Sequence, residues 1–300
     1  MTSRGAELRE LLEAPEILIF PGIFDGYSAR IVEQAGFKAG TISGAGVSES
    51  HLGWADRGIM SFKDNLNAVR DIAGCTDLLL MADADTGYGN AMNVHFTVRA
   101  FEQAGVHGIS IEDQISPKRC GHMKGKDVIP MAEAADKIRA AVDARRSDDF
   151  LIRARTDAAA PNGIDDAIER LNAYAEAGAD CLFADALLTK EDIAKVASSI
   201  PKPLFVNMGF GIRSRPTTPL IGPKDLQELG VGAVSYPRLL TSAALSGMLK
   251  AMEVFKSEVV ENNGTPDRPE LMVAFDDLNA LTGIDFLDAL EAEYASRGDA

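Results

Sequence analysis

Eight short apolar runs recur along this chain, separated by longer stretches that are amphipathic wherever the pattern is clear, and this alternation restricts the fold more than any other feature. The runs lie at 17–20, 39–43, 78–82, 107–111, 150–154, 181–184, 204–206 and 233–236. Short continuous apolar runs fit strands buried on both faces, as in a parallel sheet. The intervening amphipathic stretches are clearest at 93–104, 131–145, 164–177 and 223–229, and two of them stop on glycine, at Gly105 and Gly178. Glycine is the expected helix terminator because it accepts the left-handed backbone without a Cβ penalty. Repeated strand–helix units imply parallel strands joined by right-handed crossovers. Their number and the chain length favour an α/β fold closed into a (β/α)8 TIM barrel over an open doubly wound sheet.

No low-complexity linker divides the 300 residues. The one candidate boundary is the turn-rich segment Glu261-Asn262-Asn263-Gly264-Thr265-Pro266, which follows an expected long helix over 241–260. Residues 1–260 are therefore read as the barrel catalytic domain. Residues 261–300 form a C-terminal helical extension, with helices expected over 269–282 and 285–296. Those segments fall outside the eight-unit count and are expected to pack on the barrel or on a neighbouring subunit.

A formal net charge of −15 without any basic run argues against a nucleic-acid or anionic-membrane partner. It does not argue against an anionic small molecule, which needs only one or two positive centres. The cysteines, Cys75, Cys120 and Cys181, are odd in number and lack metal-ligand spacing, which fits a reducing cytoplasm. Cys75 and Cys181 stand in apolar settings and read as packed thiols. The N-terminal segment is acidic and amphipathic rather than a signal peptide, and no apolar run approaches the roughly 20 residues of a membrane span. The expectation is a soluble cytoplasmic protein.

In a barrel of this type, reactive groups collect at the C-terminal ends of the strands. Six successive strands here deliver polar groups to that rim: Ser43-Gly44-Ala45-Gly46, Asp83-Ala84-Asp85, Glu112-Asp113-Gln114, Arg155-Thr156-Asp157, Asp185 and Asn207. Helix caps explain one or two of these, but not the whole ring. Asp83 and Asp85, two apart on an extended segment, project to one side, and with Glu112 they form a carboxylate cluster suited to Mg²⁺, or to Mn²⁺ in its place. The residues alone leave open the simpler reading, in which the pair caps the next helix or binds Arg155. Arg155 suits a bidentate carboxylate clamp. After the fourth strand comes Lys118-Arg119-Cys120-Gly121-His122, a thiol between cations and a histidine. Cationic surroundings lower a thiol pKa and equip it for acid–base or nucleophilic work. His122 beside it reads as a substrate donor or thiol partner; His51, His95 and His107 read as structural or surface residues.

These motifs, together with Leu52-Gly53, Asp56-Arg57-Gly58 and Thr86-Gly87-Tyr88-Gly89, resemble the isocitrate lyase/phosphoenolpyruvate mutase superfamily. Within it, the chain is most similar to the methylisocitrate lyase and 2,3-dimethylmalate lyase group, in order from about residue 7 to the C-terminus. The resemblance implies a (β/α)8 barrel in a homotetramer of paired dimers, with a late helix exchanged between neighbours. It implies Mg²⁺ held by Asp83 and Asp85, largely through water, with Glu112 close by. A hydroxy-dicarboxylate substrate would meet Ser43, Gly44, Ala45, Asp56 and Arg155, with Cys120, Gly121 and His122 on a closing lid that also carries Lys118. The implied chemistry is Mg²⁺-dependent cleavage between C2 and C3 of a 2-hydroxy acid, giving pyruvate or another 2-oxoacid, with Cys120 protonating the carbanion.

Departures fall where the variable part of the substrate binds. Methylisocitrate lyases carry glutamate where this chain has Asp185. Beyond Asn207 their Thr-Glu-Phe-Gly segment is replaced by 208–216. An arginine of theirs aligns with Ser242, while Arg238 lies one turn earlier, and Thr41 replaces a tyrosine. A smaller dicarboxylate than methylisocitrate is therefore favoured, unless Arg213, Arg215 or Arg238 compensates. Two other activities share the architecture: a carboxyphosphonoenolpyruvate-type phosphonomutase and an oxaloacetate hydrolase or decarboxylase. A non-catalytic scaffold is disfavoured because Cys120, Arg155 and the Asp pair are all present.

Overall fold

The computed structural model describes residues 3–121, 123, 125–213 and 218–295. Eight parallel strands close into a barrel in sequence order, β1 next to β2 and so on round to β8, which pairs with β1. They are β1 (Leu18–Ile23), β2 (Ala39–Ile42), β3 (Leu79–Asp83), β4 (Gly108–Glu112), β5 (Leu151–Thr156), β6 (Cys181–Ala184), β7 (Leu204–Asn207) and β8 (Ala233–Tyr236). The (β/α)8 expectation from the alternating pattern is met. Helices α1 (Arg4–Glu13), α2 (Gly26–Gln34), α3 (Gly44–Val47), α4 (Phe62–Ala73), α5 (Ala91–Gln103) and α6 (Met131–Ala144) serve the first half. The second half has α7 (Ile164–Glu176), α8 (Lys190–Ser199), α9 (Pro223–Glu228) and α10 (Leu239–Val254), followed by α11 (Phe275–Thr282) and α12 (Ile284–Ala295).

Both faces of the strands are buried, which is why they read as apolar runs without polar alternation. One set of side chains, including Ile42, Leu80, Ile109, Ile152, Leu182 and Val234, packs outward in the strand–helix layer. The alternate set, Phe20, Leu79, Met81, Leu151, Phe183 and Phe205, clusters within the barrel together with Leu8 and Leu12 of α1. Towards the strand C-termini that inner set turns polar, with Arg153 and Arg155 on β5 and Glu112 on β4. Cys181 belongs to the inner cluster, whereas Cys75 is only half-buried, its thiol donating to the Ile72 carbonyl.

Two compact units are present, Met1–Thr241 with the barrel and Ser242–Ala300. The long helix expected over 241–260 starts earlier, at Leu239, and changes to a π-helical turn at Phe255–Glu261. Of the helix expected over 269–282, only Phe275–Thr282 forms. Arg268 bonds Glu258 and Glu270 just before it, and Ala274 is extended as the N-cap, so helical backbone starts only after that residue. Among the described residues, no helix is long and apolar enough to cross a membrane.

Candidate active site

A cleft at the C-terminal rim is lined by Ser43, Ala45, Asp56, Asp83, Lys118, Cys120, Gly121, Arg155, Asp185, Asn207, Pro237 and Arg238. All but Pro237 were singled out from sequence, and Gly44, Asp85 and Glu112 lie beside them. His122 falls outside the described residues.

The carboxylate cluster forms, but not through an extended segment. β3 ends at Asp83, and Asp85 takes a left-handed backbone, φ 48°, its amide donating to Asp83 Oδ1 at 3.0 Å. The turn brings both carboxylates against Gly44: a Cβ there would lie 2.9 Å from Asp83 Oδ2 and 3.3 Å from Asp85 Oδ1. Neither simpler role for the pair holds. α5 is capped by Asn90, and Arg155 pairs instead with Glu112 (3.3 Å), Asp157 (2.7 Å) and Asp185 (3.5 Å).

Lys118 is the internal counter-ion of this acidic wall, bridging Asp56 at 2.7 Å and Asp85 at 2.8 Å. Burial works against its charge, but Asp85, Glu112, Asp83 and Asp56 outweigh it and hold the ammonium well above its usual pKa. One ammonium cannot neutralise so many carboxylates. Burial, resisted by Lys118 but joined by Asp83 and Asp56, pushes Asp85 up to about 6. Burial likewise raises Glu112 well above the carboxylate range, against the pull of Arg155 and Lys118. Both Glu112 carboxylate oxygens are buried without a hydrogen-bond partner among the described residues. Buried oxygens that make no hydrogen bond, with Arg155 Nε reaching one of them only as an ion pair at 3.3 Å, and a glycine that leaves open the space in front of the Asp pair, fit a hard divalent cation. Among the described residues no group of three or more His, Cys, Asp or Glu side chains is placed to hold a metal ion by itself.

The loop that carries Cys120 is tied down at several points. The Cys120 amide donates to the Asp56 carbonyl at 3.1 Å, and Gln114 brackets Arg119 with bonds of 2.9 and 3.0 Å. Cys120 is buried, 8% exposed. A cation does reach its sulfur, yet it is not the neighbour in sequence: Lys118 turns to the carboxylates, and Arg238 from the end of β8 donates to Sγ at 3.5 Å. Arg238 is itself held by Glu49. Gly121 sits directly on Asp185, where a Cβ would fall 2.2 Å from Oδ2.

Sequence reasoning missed four supports. Lys126 is buried between Asp157 (2.7 Å) and Asp185 (2.8 Å). Asp113 accepts from Thr156, Tyr174 and the Asp157 amide at 2.7, 2.7 and 2.9 Å, fixing the end of β5 that carries Arg155. Asn65 from α4 donates to the Asp83 carbonyl and to the Tyr88 hydroxyl. Glu49 orients Arg238. For Asp113 its place beside Glu112 on a rim strand was a signal; Glu49, Asn65 and Lys126 had none, since they act across loops. Tyr88 is half-buried, and desolvation of its hydroxyl, joined by Asp85, raises its pKa well above normal, which makes it a poor base. Ser43 caps α3, accepting from the Gly46 amide at 3.1 Å, and Asn207 is held by Ser235. Arg213 is exposed, and Arg215 lies outside the described residues.

The description "Phosphoenolpyruvate phosphomutase" matches residues 8–256. A 2,3-dimethylmalate lyase of Eubacterium barkeri is 38% identical over 292 residues, 97% of this chain and 98% of that one. The structure of an oxaloacetate acetylhydrolase in complex with 3,3-difluorooxalacetate superposes with a TM-score of 0.88 at 31% identity, covering 98% of this chain and 97% of that one. A phosphonopyruvate hydrolase complexed with oxalate and Mg²⁺ gives 0.84 at 30% identity, covering 98% and 100%.

Proposed function

Because the chain belongs to the phosphoenolpyruvate mutase/isocitrate lyase superfamily, we propose that it is a carbon–carbon lyase. It cleaves a substituted 2-hydroxy dicarboxylate, of the 2,3-dimethylmalate or methylisocitrate kind, to pyruvate or another 2-oxoacid plus a second carboxylate. The observation that carries this reading is a buried thiol, bonded by Arg238, sharing one cleft with Arg155 and Asp83.

Asp83 and Asp85, with Glu112 close by, would hold Mg²⁺, or Mn²⁺ in its place. That ion, when bound, supplies Lewis-acid stabilisation of the 2-oxoacid as it forms. Arg155, its guanidinium kept charged by Asp157, Glu112 and Asp185 despite burial, orients the carboxylate next to the reacting carbon. Ser43, Gly44 and Ala45 line that end, and Asn207 and Arg238 face the remainder of the substrate. Cleavage between C2 and C3 follows loss of the C2 hydroxyl proton to water and leaves a carbanion; the Cys120 thiol delivers its proton there and becomes a thiolate, which takes a proton back in the condensation direction. Lys118 keeps the lid over the acidic wall, while Gly121 and Cys120 exclude water that would otherwise quench the carbanion unselectively. The Asp185 side is short and closed by Gly121, which suits a small dicarboxylate better than a tricarboxylate.

The same feature favours hydrolysis or decarboxylation of oxaloacetate as the second reading. The partner is thus a small hydroxy-dicarboxylate in a cytoplasmic setting. Exposed apolar side chains on α10–α12, among them Met248, Met252, Phe275 and Phe286, support a homotetramer in which the C-terminal helices dock on a second copy.

The test is 2-oxoacid release from 2,3-dimethylmalate, methylisocitrate, isocitrate, citramalate and oxaloacetate, with Mg²⁺ and then with EDTA. EDTA-sensitive pyruvate from a dimethylmalate is the expected result. Silence on every hydroxy acid refutes the lyase reading and moves the weight to oxaloacetate or phosphonate chemistry.

A further inference from the structure

One charge inside the barrel is unused by this chemistry. On β5 the inward side chains are Leu151, Arg153 and Arg155, and only the last reaches the cleft. Arg153 lies buried beneath it, its guanidinium 4.7 Å from the Phe205 ring centre and 5.5 Å from that of Phe183. The Phe183 ring also carries Arg155, at 5.0 Å, and so is shared by two guanidinium groups. Among the described residues, Nε and Nη1 of Arg153 have no hydrogen-bond partner. Cys181 stands opposite it in the β5–β6 register, but burial pushes that thiol up to about 12, so it is no counter-ion. In the barrel register Arg153 stands opposite Ser110, and Ser110 opposite Asp83, so Asp83 is the carboxylate two strands away whose field reaches Arg153.

A guanidinium stays charged even when buried. An unpaired buried cation is costly, and a compensating field must come from somewhere. The rim above supplies one. Among the described residues, Asp56, Asp85, Glu112, Asp157 and Asp185 pair with Lys118, Lys126 and Arg155, and Asp83 lines the same cleft. Arg238 and Glu49 cancel each other. Carboxylates outnumber cations in that group, and the negative field that would favour a divalent ion extends to the Arg153 charge.

We propose that Arg153 is a positioning residue for the divalent-cation site, a fixed charge in register with Asp83 two strands away that offsets part of the carboxylate field and holds cation affinity below what the carboxylates alone would give. This rests on the divalent-cation reading above. Its effect is electrostatic and needs no contact with ion or substrate.

The experiment is calorimetric titration of Mg²⁺ into the EDTA-stripped, dialysed full-length protein without substrate, comparing wild type, Arg153→Met and Arg153→Lys. Methionine keeps a long side chain between the two phenylalanine rings and removes the charge; should it not fold, Arg153→Gln carries the same test. The neutral variant is expected to bind Mg²⁺ about four- to tenfold more tightly, and the lysine variant to match wild type within about twofold. A purely structural role would leave affinity unchanged or loosen it in the neutral variant, and either result overturns the inference while leaving the metal site standing. Absence of Mg²⁺ binding by the wild type instead overturns the metal reading, and the inference with it.

Discussion

Replacing Gly121 by alanine isolates the fit between lid and barrel in one methyl group. The new Cβ would lie 2.2 Å from Asp185 Oδ2 and 2.7 Å from both Cγ and Oδ1. Ordinary carbon–oxygen contact begins near 3.4 Å, so about 1.2 Å of separation must be found. Asp185 cannot easily supply it, because Lys126 holds the same oxygen at 2.8 Å and Arg155 stands 3.5 Å from it. The lid must retreat instead, and Cys120, the adjacent residue, retreats with it. Misplacing a reacting group by about 1 Å costs on the order of a hundredfold in rate, close to 2.7 kcal/mol of barrier. The assay is steady-state 2-oxoacid release under saturating Mg²⁺, with Mg²⁺ affinity measured separately. kcat is expected to fall about a hundredfold while Mg²⁺ affinity stays within about twofold, since Asp83 and Asp85 are untouched. In an Asp185→Ala background the added methyl should cost far less, because its obstacle is gone. Full activity in Gly121→Ala, or an equal loss in both backgrounds, would refute the steric argument.

Two further outcomes follow from named contacts. Cys120→Ser should lower turnover at least about a thousandfold with Mg²⁺ and pyruvate binding retained, and near-normal turnover would remove the thiol from the chemistry. His107, half-buried, accepts from the Leu80 amide at 2.9 Å, and burial together with Arg4 lowers its pKa from 6.5 to about 4. Protonation then favours the unfolded chain, so the His107 contribution is complete above pH 6.5 and lost as pH falls towards 4. Denaturant melts across that window should show a shallower pH slope for His107→Gln, and an unchanged slope would contradict the assignment.

Much of the site was legible in sequence because a parallel barrel converts position along a strand into position in space. Once the eight runs are recognised, Ser43, Asp83, Glu112, Arg155, Asp185 and Asn207 share an address at one rim, whatever the details of packing. What strand position does not contain is which charge meets which. Lys118 looks like the partner of Cys120, two residues away, yet it is buried among Asp56 and Asp85, and the cation on the sulfur is Arg238, 118 residues distant.

The chain's own pattern of apolar and polar residues determined the barrel, its rim and the chemical types gathered there, because periodicity and strand ends are local properties. Tertiary structure alone decided the rest. It brought Asp85 round on a left-handed turn instead of an extended strand, laid Gly121 on Asp185, and placed Lys126 between two carboxylates. It also left Arg153, one more residue of a buried strand when read in sequence, as a buried charge whose Nε and Nη1 have no hydrogen-bond partner among the described residues. Pairing of buried charges depends on distances across strands and loops within a low-dielectric interior, and no local sequence property encodes those distances.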